Sequence, residues 1–182
     1  METAEVRWFA MRATYGRNMM AQRQLEGWGV ESFIPMRQRT SKSGHRVKTE
    51  IVPIVRDLIF VHSAKEGLQE AKRKIEFLHY ITRPVNGRNE PIEVPEEQME
   101  QFMRFCECGG EVESACNESD YRVGERVRVV QGALKGVEGR LVKIQGKRAR
   151  RFAIRIEDVC TAIIELRKKD FVKIDNEVKV TL

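Results

Sequence analysis

The residues of this 182-residue chain best equipped for chemistry are four cysteines, three histidines and many arginines and lysines. Cys106 and Cys108 form a C-x-C with Cys116 nearby, thiolates of the type that holds zinc. The C-x-x-C pairs usual for a structural zinc site are missing, and Cys106 also fits as the last buried position of a helix, so no metal is expected. With Cys160 added, four irregularly spaced cysteines make no disulfide framework. His45, His62 and His79 are scattered without ligand spacing, and a lone histidine at a strand end is usually a satisfied structural residue. H-E-x-x-H, G-x-S-x-G and G-x-x-x-x-G-K-[ST] are all absent. Neither a catalytic group nor a cofactor is expected, and the chain reads as a binding protein.

The cations suggest what is bound. Net charge is only +6, yet Arg37, Arg39, Lys42, His45, Arg46 and Lys48 crowd a polar interval whose Ser41–Gly44 centre reads as a turn. Such a basic hairpin tip suits phosphates, although charge also serves simply to keep a hairpin soluble. A second cluster is Lys143, Lys147, Arg148, Arg150 and Arg151; a third set, Arg12, Arg17 and Arg73, flanks the first strand and the second helix. Cations position a nucleic-acid backbone, whereas base edges and stacking specify sequence, so no recognition sequence follows from them. No apolar run is long enough for a membrane helix, and Met1–Glu5 is acidic, unlike a signal peptide; the expected location is the cytoplasm.

These side chains need elements to place them. Val6–Met11 is apolar, aromatic and β-branched, a strand. Ala21, Leu25 and Trp28 recur at helical spacing until Gly27 and Gly29 intervene, and Val30–Pro35 is a second strand. Ile51–Val55, held to an edge by Pro53, precedes Leu58–Val61, a short run suited to burial on both faces. Leu68, Ala71, Ile75 and Leu78 mark a second helical face, and Tyr80–Arg83 a strand ending at Pro84. Pro95, at the first helical position, opens a third helix with the stripe Met99, Phe102, Met103 and Cys106. Residues 109–120 read as a linker. Beyond it Val127 and Val129 alternate with arginines, and Phe152, Ile154 and Ile156 with Ala153 and Arg155, as strands of a small barrel.

Within that barrel Gly124, Val127, Val129, Gly132, Gly136, Gly139 and Val142 resemble the KOW motif. Upstream, Arg7-Trp8-Phe9, Gly16 and Phe33-Ile34-Pro35 resemble the opening strand, first turn and second strand of the NusG family, in the family's order. The resemblance implies an α+β fold: an N-terminal antiparallel sheet flanked by helices over residues 1–108, a linker at 109–120, and an SH3-like KOW barrel at 121–182. It implies a monomeric, non-enzymatic factor that rides on RNA polymerase and suppresses pausing or termination. Trp8, Phe9, Tyr15, Phe33 and Phe60 stand at the family's polymerase-docking positions. Arg12, Arg17 and Arg73 stand where its specialists meet non-template DNA, with the basic hairpin nearby. The barrel end is where relatives take a ribosomal protein or the Rho terminator.

Some positions depart from the family pattern. Val55-Arg56-Asp57-Leu58 replaces its proline, glycine or asparagine, and tyrosine; Ala133-Leu134 replaces Pro-Phe; Asp158-Val159 replaces Gly-Arg. These changes favour a specialised paralogue of the RfaH or UpxY type, acting on selected operons. The competing reading is a ribosomal or RNA-associated KOW protein that grips structured RNA.

Overall fold

The computed structural model describes residues 5–43, 46–109, 111–114, 121–144, 150–156, 159–165 and 168–174. They fall into two compact units, Met1–Glu100 and Gln101–Leu182. In the first, β1 (Val6–Ala13) passes through a 3-10 turn at Thr14–Gly16 into α1 (Asn18–Glu26) and β2 (Glu31–Phe33). A hairpin of β3 (Met36–Ser43) and β4 (Arg46–Pro53) follows, then β5 (Leu58–Ala64), α2 (Lys65–Lys74) and β6 (Leu78–Tyr80). Next come a second hairpin, β7 (Thr82–Val85) and β8 (Arg88–Pro91), then β9 (Glu93–Val94) and α3 (Glu96–Glu107), whose first residues close the unit.

The sheet runs β2-β5-β1-β6, with β9 also beside β1, and its pairs are antiparallel. Its central strands are buried on both faces, which is why Val6–Met11 and Leu58–Val61 read as apolar runs rather than alternations. Phe9, Met11, Ala13, Ile59 and Val61 form one core with Ala21 and Leu25 of α1 and Leu68, Ala71 and Ile75 beside them. Trp8, Ala10 and Phe60, on the opposite face by strand alternation, are equally buried.

Three expectations change in detail. Trp28 is 45% exposed, because α1 stops at Glu26 and the helical stripe stops with it; Lys74 Nζ lies 5.1 Å from its ring centroid instead. Pro95 precedes α3, its carbonyl accepting the Met99 N–H at 2.9 Å. Along α3 the buried residues are Met99, Phe102 and Phe105, while Met103 and Cys106 are half-buried. The strand expected over Tyr80–Arg83 is also split: β6 ends at Tyr80, and Pro84 sits inside the small second hairpin, turned at Asn86 and Gly87, both with positive φ.

The second unit holds the rest of α3 and an antiparallel sheet in the order β10-β14-β13-β12-β11-β15. Its strands are β10 (Glu111–Ser114), β11 (Tyr121–Val129), β12 (Glu138–Ile144), β13 (Arg150–Ile156), β14 (Cys160–Glu165) and β15 (Phe171–Lys173). The interval 109–120, expected as a linker, thus contributes a strand that pairs with β14. Arg104 of α3 donates to the Ala133 and Lys135 carbonyls at 3.2 and 3.4 Å, and the Phe105 and Phe152 rings lie 6.2 Å apart. Gly124 stands where β11 shifts register against β12, and Gly132 and Gly136 turn the intervening loop with φ of +85° and +89°. Gly139 is required by space: a Cβ there would stand 2.4 Å from the Ala153 carbonyl oxygen and 2.7 Å from the Phe152 ring.

Candidate functional site

Tyr15 is the most exposed large apolar side chain among the described residues, at 82%, and its backbone is left-handed, φ 62° and ψ 30°. A bulky residue in that conformation costs about 1–2 kcal/mol and persists only where its surroundings impose it. Three backbone donors do so here. The Ala13 N–H donates to the Asp57 carbonyl at 2.7 Å, Thr14 N–H to the Phe77 carbonyl at 3.0 Å, and Gly16 N–H to the Asp57 carboxylate. Arg17 braces the turn by donating to the Thr14 carbonyl at 3.0 Å, its guanidinium 4.0 Å from the Phe77 centroid and 5.4 Å from that of Tyr15. Asp57, itself at φ 71°, is a member of this site that sequence reasoning missed. In the sequence it stands only as a departure from the family pattern, and nothing local to residue 57 announces a partner at residue 16.

The other aromatic candidates are placed differently. Trp8 and Phe9 are each 1% exposed and Phe60 0%, so these three side chains offer a partner no surface; they hold the sheet together. Phe33, register partner of Phe60, is half-buried. Trp8 stacks on its own cross-strand partner, His62, with ring centroids 4.7 Å apart and planes within 7°. Glu96, at the start of α3, accepts from Trp8 Nε1 at 3.2 Å and lies 3.3 Å from His62 Nε2, while His62 Nδ1 is 2.8 Å from Glu31. The histidine is therefore a structural bridge.

The first hairpin forms a two-stranded sheet of its own, and its register sorts the side chains. Arg37 pairs with Val52, Arg39 with Glu50, Ser41 with Lys48 and Ser43 with Arg46, which puts four cations on one side of the ribbon. The alternate pairs, Gln38 with Ile51, Thr40 with Thr49 and Lys42 with Val47, make the other side. Val47 and Ile51 are 63% and 67% exposed there. Lys42 is thereby separated from the cations with which the sequence grouped it. Glu50 offsets part of the basic side, lying 3.0 Å from Lys48 and held below the ordinary carboxylate range mainly by its hydrogen bond with that lysine.

The upstream arginines do not converge. Arg12 is exposed on the Trp8 side of the sheet, Arg73 is exposed on α2 against the other side, and Arg17 is half-buried in the Tyr15 turn. Of the basic cluster expected in the second unit, Arg151 is half-buried, while Lys147 and Arg148 lie outside the described residues, as do His45 and Cys116. Burial pushes the Cys106 thiol up to about 12 and raises that of Cys160 further, which suits neither nucleophile nor ligand. Among the described residues no group of side chains has the makings of a metal site, and no helix is long and apolar enough to cross a membrane.

A family model described as transcription termination factor nusG matches residues 6–103, more than half of the chain and nearly all of the first unit. The chain belongs to the NusG family. Among solved structures, one of Thermotoga maritima NusG that concerns its domain interaction is similar at a TM-score of 0.50 and 15% identity. The match covers 94% of this chain and 98% of that one, so the fold extends over both units. No curated protein matches the chain. As a NusG-family member it is a transcription elongation or termination factor by family, built from an α+β N-terminal unit and a C-terminal β domain.

Proposed function

We propose that this NusG-family chain binds RNA polymerase through residues 1–108 and suppresses pausing or termination on selected operons, as a specialised paralogue of the RfaH or UpxY type. It acts as a monomer in the cytoplasm, without catalysis or cofactor. The observation that carries the reading is Tyr15, an aromatic held in a left-handed conformation at an energetic cost and 82% exposed, with the Arg17 guanidinium 5.4 Å from its ring centroid. Aromatic anchors of this kind dominate protein interfaces. Half-buried Phe33 is the second candidate contact.

The basic side of the first hairpin, with Arg37, Arg39, Arg46 and Lys48, supports contact with DNA near the polymerase, and exposed Arg12 and Arg73 add positive charge elsewhere on the unit. A factor that prefers the elongating state of the enzyme over its paused state shifts the population by that difference in affinity alone. The C-terminal KOW unit is left to recruit a ribosomal protein or Rho. The test is transcription in vitro by the cognate polymerase, with and without the native leader, using the full chain and Tyr15→Ala. Shorter pauses or greater read-through with the natural chain, lost with the variant, are expected; identical traces with and without the protein would end the proposal.

A further inference from the structure

The Tyr15 turn presents a second exposed group, of different chemistry. Arg56 stands in the loop that leads into β5, one residue before Asp57, and its side chain is 79% exposed. It lies against the same turn: a Cβ on Gly16 would stand 3.5 Å from Arg56 Nε and 4.0 Å from its Cγ, both ordinary contact distances. Gly16 follows Tyr15 in the chain, so the guanidinium and the exposed ring share one stretch of surface. Asp57 neutralises this arginine only in part. Its Oδ1 is 4.0 Å from Arg56 Nε and already accepts the Gly16 N–H. Arg17, the other cation of the turn, is engaged by the Thr14 carbonyl and the Phe77 ring. One exposed fork therefore remains beside one exposed ring.

We propose that Arg56 takes a carboxylate on the polymerase segment that meets Tyr15, an aspartate or glutamate beside the slot that receives the ring; this rests on the docking proposed above and adds the partner's charge to it. A guanidinium fork matches the two oxygens of a carboxylate, and an aromatic contact next to the pair excludes water from it. A nucleic-acid backbone fits less well. It offers a phosphate at every nucleotide and is held by rows of cations, which the first hairpin has and this turn lacks. Arg56 also belongs to the segment Val55-Arg56-Asp57-Leu58, where the chain departs from a family pattern of uncharged residues. It is thus a specificity determinant, favouring a polymerase with an acid at that place over one without.

The test is binding of the full chain to purified cognate core polymerase, with Tyr15→Ala alongside. Arg56→Glu is expected to weaken binding about tenfold in about 0.1 M salt, largely through slower association, and to matter less as salt rises. Arg56→Lys, which keeps the charge and loses the fork, is expected to fall between that variant and the natural chain. Neither is expected to move the melting temperature, because the side chain is exposed. A photo-crosslinker at position 56 is expected to label a polymerase peptide that contains an acid, and arginine in place of that acid to restore binding by Arg56→Glu. Binding lost in Tyr15→Ala but unchanged in Arg56→Glu, label on nucleic acid, or no recovery with the reversed pair would each overturn the assignment and leave the docking proposal standing. Absence of binding by the natural chain would end both.

Discussion

Tyr15 and Asp57 divide the work of one turn: under the proposed function the first meets the partner, and the second holds the turn through the Gly16 N–H. Asparagine tolerates the left-handed region better than tyrosine. Tyr15→Asn is accordingly expected to keep or slightly raise the melting temperature while weakening polymerase binding at least tenfold, measured by thermal melting and by pull-down. Asp57→Ala is expected to lower stability by about 1–2 kcal/mol in urea, since the Gly16 N–H loses its acceptor and alanine is strained at φ 71°. Tyr15 was legible as an aromatic between a strand and a helix without a core to enter. Asp57 was not, because its hydrogen bond spans 41 residues and only the folded sheet brings the two turns together. Trp8 and Phe9 show another limit: neighbours in a strand take opposite faces, and a sheet covered on both sides buries both of them.

Among elements, the three helices were legible from the period that burial stamps on them, and β1 and β5 from short apolar runs buried on both faces. The β7–β8 hairpin was not, since most of its residues are exposed and carry no apolar alternation. The first hairpin was legible as a basic turn, but its two-sidedness came from register, which sets Lys42 apart from the other cations. Replacing Arg37, Arg39, Arg46 and Lys48 together by glutamine is expected to remove about −2.7 from the salt slope of duplex DNA binding. That corresponds to about −0.9 per phosphate for three effective charges, with Glu50 offsetting the fourth. Lys42→Gln alone is expected to leave the slope unchanged, an outcome checked in the same titration.

For the whole molecule, the two units call for separate stability tests. Gly139→Ala drives a methyl group into the Ala153 carbonyl and the Phe152 ring, so it is expected to destabilise the second unit by about 2–3 kcal/mol, resolved by hydrogen exchange as faster opening of β11 to β14. Exchange across β1 and β5 is expected to stay as in the natural chain. The division between the units was less legible than either fold, because Arg104 and Phe105 belong to a helix that sequence periodicity assigns wholly to the first half, yet they contact the β domain.

The ribbon with Val47 and Ile51 on one side and arginines on the other also bears on handling the protein. Repulsion between charged ribbons keeps the paired strands of neighbouring molecules apart, and concentrated electrolyte shortens its range to a few ångströms. Clouding on moving from dilute to concentrated salt, cured by Ile51→Lys, is the colloidal signature expected of such a surface.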